Sequence, residues 1–116
     1  MKDPADPGFA DDLDYQEYLA FMKKYYPDGN PTDQNNAISY ASSFTMAYVL
    51  KQCGNNLTRD NLMKQAASLH DLVVPMVLDG IKLNTGPTDF APMKSERMSR
   101  FNGKTWELFG DIIGGS

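Results

Sequence analysis

The chain has 116 residues, of which 41% are hydrophobic and 22% charged, with a net charge of −4. That length suits one small domain, and the balance excludes disordered, collagen-like and disulfide-scaffold chains. The acidic excess argues against nucleic acid as a partner, and one Cys with one His is too few for an internal disulfide or the usual zinc sites.

Residues 1–12, MKDPADPGFADD, hold two Pro, one Gly and four Asp and read as an irregular opening segment. A helix is expected over 11–26. Tyr15, Leu19, Met22 and Tyr26 form its stripe, flanked by Tyr18 and Tyr25, with acidic residues at its start and Lys23 and Lys24 at its end. Pro27-Asp28-Gly29 stops it.

A second helix is expected over 33–53, capped by Thr32 or Asp33. Ala37, Ala41, Phe44 and Tyr48 make one stripe; Ile38, Thr45, Val49 and Cys53 make another beside it. No charge occurs from Asn35 to Leu50, so this helix should be covered on more than one face. Gly54 fits the left-handed position after it. Thr58 caps a third helix over 58–69, with Leu62, Ala66 and Leu69 buried.

After Pro75 the pattern changes. Residues 80–84 alternate and read as a short strand, and Gly86-Pro87-Thr88-Asp89 as a turn. Asn102-Gly103 lies between two alternating apolar runs, 98–101 and 105–109, which is a strong hairpin signal. Residues 114–116, Gly-Gly-Ser, read as a flexible end. Three helices thus precede a few short strands, and helix 33–53 looks built to lie on a sheet that these residues do not supply.

No catalytic or metal constellation stands out. Cys53 ends an apolar helix and reads as a small buried hydrophobe, since a nucleophile needs a base beside it and His70 is the only candidate. His70 follows the third helix, where the helix dipole favours its charged form. Asp3, Asp6, Asp11, Asp12 and Asp14 lack the fixed offsets, central Gly and closing Glu of a calcium loop, and read as a solvated loop and helix N-terminus. Asn56-Leu57-Thr58 is a glycosylation sequon. Tyr15, Tyr18, Tyr25 and Tyr26 could stack on a sugar or base, but their helical spacing favours a core role.

One stretch says more. Gly80-Ile81-Lys82-Leu83-Asn84-Thr85, Pro87-Thr88-Asp89-Phe90 with Pro92, then Met98, Arg100-Phe101-Asn102-Gly103 and Trp106-Glu107-Leu108-Phe109-Gly110, resemble the C-terminal end of bacterial ABC-transporter solute-binding proteins of the branched-chain amino-acid type. The segments 48–61 and 21–29 are similar to the same family, so the resemblance covers nearly the whole chain.

The resemblance implies an α/β fold, here a partial lobe of the type I periplasmic-binding-protein kind: three helices followed by short strands that include a C-terminal β-hairpin. Residues 1–116 would be the C-terminal segment of a two-lobed protein, supplying helices of the N-terminal lobe and strands returning through the hinge. It implies a periplasmic location, with a signal peptide upstream of these residues. It implies a branched-chain amino acid or related small carboxylate, such as an aromatic acid, bound by hinge closure, and docking on a membrane permease. No enzymatic activity, cofactor, metal or nucleic acid is implied. Asn36 and Ala37 match positions that touch the ligand side chain, whereas Ile38-Ser39 stands where relatives often carry an aromatic and a Gly. A lobe segment by itself is expected to expose apolar helix faces and to dimerise, swap or aggregate. The competing expectation is an independent small helical interaction domain with no transport role.

Overall fold

The computed structural model describes residues 1–115. Three helices lead, α1 (Leu13–Tyr25), α2 (Gln34–Cys53) and α3 (Arg59–Ala66). Two antiparallel strands follow, β1 (Ser95–Phe101) and β2 (Trp106–Gly114). This is a small mixed α and β arrangement.

Each helix starts where a short polar side chain satisfies the first free N–H groups. The carboxylate of Asp12 accepts from the Tyr15 N–H, that of Asp33 from Asn35, and the Thr58 hydroxyl from Asn61. Gly54 ends α2 with a φ of 57° and a ψ of −128°, a positive φ as expected but outside the left-handed helical well. The third helix stops at Ala66, three residues earlier than its apolar spacing predicts, because Leu69 turns away to bond elsewhere. The Leu69 N–H donates to Thr85 Oγ1 (2.9 Å), and the Thr85 N–H donates to the Leu69 carbonyl (3.0 Å).

Two buried clusters hold the helical layer. The smaller sets Tyr18 and Met22 of α1 against Ala37 of α2 and Met76. Tyr18 is thus at the centre of the α1 contact and not a flank, while Tyr26 is exposed. The larger cluster sets Ala41 and Val49 of α2 against Leu69, Leu72, Val74, Val77, Leu78, Ile81 and Leu83. Most of that core therefore comes from residues 69–83, which form neither helix nor strand. Asp71 (φ 48°), Met76 (φ 65°) and Gly80 (φ 87°) break any regular run, and tight turns satisfy part of the backbone, Val77 N–H to Val74 and Ile81 N–H to Leu78.

The strand expected over 80–84 does not form. Only Leu83 pairs, through isolated bridges to Leu72 and Met93. The opening segment also differs from expectation: Lys2 and Pro4 are buried, and Pro7–Phe9 makes a turn of 3₁₀-helix capped by Asp6.

The hairpin does form and is longer than its sequence signal. Phe101 pairs with Trp106, Arg100 with Glu107, Ser99 with Leu108 and Met98 with Phe109; beyond an irregularity, Arg97 pairs with Ile112 and Ser95 with Gly114. Gly110 sits in the irregularity with a φ of 67°, and Arg97 Nε donates to its carbonyl. Asn102 closes the turn, its Oδ1 accepting from the Lys104 and Thr105 N–H groups. Gly114 lies inside β2; Ser116 is outside the described residues. The hairpin touches the helical layer through Leu108, half-buried against the larger cluster, and Ile112, whose Cδ1 lies over Gly80. The rest projects, so the radius of gyration is 15.7 Å against about 13 Å for a compact chain near this length. Among the described residues no helix is long and apolar enough to cross a membrane.

Candidate functional site

The start of α2 is held by its own loop. Asn30 Oδ1 accepts from both the N–H and the hydroxyl of Thr32, and Asn36 Nδ2 donates to the Asn30 carbonyl (2.8 Å). Asn36 is thus a tie across the loop that enters α2. Ala37, the next residue, is fully buried among Tyr18, Met22 and Met76. These two positions are adjacent in the chain but face different surroundings, and neither lines the cavity that Gln34, at the start of the same helix, reaches.

That cavity lies between the helical layer and the hairpin and measures about 340 Å³, within the range of small-ligand pockets. Met1, Phe9, Leu78 and Leu108 supply its apolar wall. Asp3, Gln34, Arg97, Ser99 and Trp106 supply polar groups. Gln34, the first residue of α2, is the residue of that helix that reaches it. The guanidinium of Arg97 spends its Nε on the Gly110 carbonyl and keeps its other donors. The Asp3 carboxylate accepts from the Ala5 N–H. One carboxylate and one guanidinium beside apolar side chains suit a small carboxylate or zwitterion. Sequence reasoning missed this site because its residues come from four separated stretches of chain.

A second groove, about 330 Å³, runs between α2, α3 and residues 85–92. Thr45, Met46, Val49, Leu62, Met63 and Phe90 line it, and its walls are almost wholly apolar. It offers area for an apolar partner but no charged group.

Near the cavity, Lys2 is the one buried charged residue among those described. Its Nζ lies 2.9 Å from Asp12, 3.1 Å from Asp14 and 3.1 Å from Asp79. Burial works to lower its pKa, but hydrogen bonds to Asp12, Asp79 and Asp14 outweigh it and hold the group above the ordinary lysine value. Burial raises the pKa of Asp12, and the bonds from Lys2 and the Tyr15 N–H outweigh that and leave it below the ordinary carboxylate value. Of the acidic residues near the start of the chain, Asp12 and Asp14 therefore act as counter-charges to Lys2, and Asp6 and Asp12 as helix caps. Among the described residues no group of three or more His, Cys, Asp or Glu converges on a metal position.

Cys53 is buried and His70 is 87% exposed, its Nδ1 3.5 Å from Asp71. No hydrogen bond links the two. Of the tyrosines, Tyr18 is fully buried, Tyr15 half-buried, and Tyr25 and Tyr26 exposed. Tyr18 donates to the Pro31 carbonyl and Tyr15 to the Pro4 carbonyl, so both hydroxyls fasten loops. No family model, curated protein or solved structure matches this chain.

Proposed function

We propose that the chain is part of the extracytoplasmic solute-binding component of an ABC importer. In this reading it binds a branched-chain amino acid or related small carboxylate between two lobes, in the periplasm, and the loaded protein docks on a membrane permease. The family-like residues over 80–110 suggest this. The observation that carries it is the apolar surface left uncovered. Ile38, Phe44, Met46 and Leu50 are exposed on α2, and Phe101, Trp106, Phe109 and Ile113 on the hairpin. Single exposed apolar residues are ordinary, but runs of them on one helix and one hairpin favour a further layer of chain over them. The guanidinium of Arg97 at the cavity between the helical layer and the hairpin is compatible with a carboxylate ligand.

The test is a thermal-shift screen of this chain and of the longer product of its reading frame, with leucine, isoleucine, valine and benzoate. A ligand at about 100 times its Kd adds about 2.7 kcal/mol, a shift of several degrees. No shift with any of them, in either protein, removes the reading.

A second reading is an independent interaction domain with no transport role. The two buried clusters favour it, because both close using only residues of this chain. A cooperative urea transition of the monomeric chain would support it.

A further inference from the structure

We propose that the chain dimerises through the free edge of β1, two copies pairing antiparallel about Met98 to give a four-stranded sheet. This does not rest on the ligand reading above.

The sheet has two strands and therefore two open edges. A two-stranded hairpin is marginal without a third strand or a covering layer, and an open edge is a template for pairing. The phase of the ladder shows which groups of β1 are free. The Asn102 N–H donates to the Thr105 carbonyl, so Phe101–Trp106 is a non-hydrogen-bonded pair and Arg100–Glu107 and Met98–Phe109 are hydrogen-bonded ones. Arg97, Ser99 and Phe101 then turn their N–H and C=O groups away from β2.

A second β1 strand can join only where outward groups meet outward groups. In the register centred on Met98, Arg97 and Ser99 of opposite copies exchange their backbone bonds. Glu96 of each copy then lies directly across from Arg100 of the other, giving two opposite-charge pairs related by the dimer axis. A register centred on Arg97 sets two arginines face to face. One centred on Ser99 sets Arg100 against Met98 and Glu96 against Asn102. The edge is therefore self-complementary in one register, which is why the occupant is a second copy.

The surrounding residues agree with it. Among the described residues Glu96 and Arg100 make no ion pair within the chain, although the Arg100 guanidinium lies 5.8 Å over the Phe109 ring and Glu107 stands across from Arg100 on β2. Met98 is 49% exposed and its cross-strand neighbour Phe109 46%. Dimerisation lines up Phe109, Met98, Met98 and Phe109 as one apolar row across four strands, on the face opposite the cavity-lining Arg97, Ser99 and Leu108. In the monomer that row stops at an open edge.

Sedimentation velocity of the purified chain across the micromolar range tests this. The parent chain is expected to dimerise. Glu96→Arg and Arg100→Glu each create two like-charge pairs across the axis and should weaken the dimer about tenfold. The charge-swapped double variant, Glu96→Arg with Arg100→Glu, should restore it. Ser99→Pro removes an outward N–H and should abolish the dimer, with the circular-dichroism spectrum of the monomer unchanged. A chain that stays monomeric, a dimer that ignores the single changes, or a double variant as weak as the singles would overturn the proposal.

Discussion

The ammonium of Lys2 lies 2.9 Å from the carboxylate of Asp12, with the lysine side chain only 2% exposed. The second residue is thereby joined to the residue that caps α1. Replacing Lys2 by Met keeps the stem and removes the charge, leaving Asp12 and Asp14 to recover water at partly open positions. We expect a loss of about 2 kcal/mol, in the range for hydrogen bonds to charged groups, read from urea unfolding.

The same cluster sets a pH dependence. Lys2 titrates above the ordinary lysine value when folded, so its contribution is complete below the unfolded value of 10.5 and is lost as pH rises through the folded one. Asp12 titrates below the ordinary value of 3.8, so its contribution is present above that value and is lost as pH falls through the folded one. Unfolding free energy measured against pH should fall at both ends, and Lys2→Met should flatten both limbs. Limbs unchanged in the variant would mean that other groups set them.

Tyr18 combines a buried ring with one hydrogen bond, to the Pro31 carbonyl at 2.9 Å. Tyr18→Phe should cost about 1 kcal/mol. Tyr18→Ala should cost about 3–5 kcal/mol, because the site beside Met22, Ala37 and Met76 cannot collapse fully. Equal losses would show that the hydroxyl, and not the ring, holds α1 to α2.

Thr85 ties the end of α3 to the irregular core segment. Its hydroxyl donates to the Ala66 carbonyl at 2.7 Å and accepts from the Leu69 N–H at 2.9 Å. Thr85→Val removes both bonds at near-constant shape and should lower stability by about 1–3 kcal/mol, whereas Thr85→Ser should keep most of it. Chemical denaturation of the two variants separates them.

Gly80 has a φ of 87°, and a Cβ there would lie 2.7 Å from Ile112 Cδ1. Gly80→Ala should destabilise by about 1 kcal/mol or more from backbone strain. Adding Ile112→Val should recover the steric part alone. A purely additive double variant would show that the hairpin does not rest on Gly80.

The starts of α2 and α3 were legible because they are written in single residues, Asp33 (or Thr32) and Thr58, whereas Asp12, read as part of the first helix, proves to be its cap. The hairpin was legible through Asn102-Gly103. What stayed hidden depends on contacts between distant residues. Lys2 reads as a surface charge until Asp12, Asp14 and Asp79 converge on it. Residues 69–83 carry most of the larger core without any period, since their backbone changes direction at Asp71, Met76 and Gly80. The alternation at 80–84 misleads because only Leu83 forms bridges, isolated ones to Leu72 and Met93, and no ladder extends from them. Asn36 and Ala37, the positions that the resemblance implies, form a loop tie and a core contact within this chain, and Gln34 lines the cavity beside the hairpin.

The backbone N–H of Lys2 donates to the carbonyl of Met76 at 2.8 Å, and Met76 lies beyond all three helices. Helices and hairpin can form from neighbours in sequence, but this bond must wait until the whole helical layer has docked, since closing so long a loop early is entropically unfavourable. We expect it to form in the last stage of folding. In hydrogen exchange, the Lys2 amide should therefore report the opening of the layer as a unit, while the amides at the hairpin tip report only local fraying.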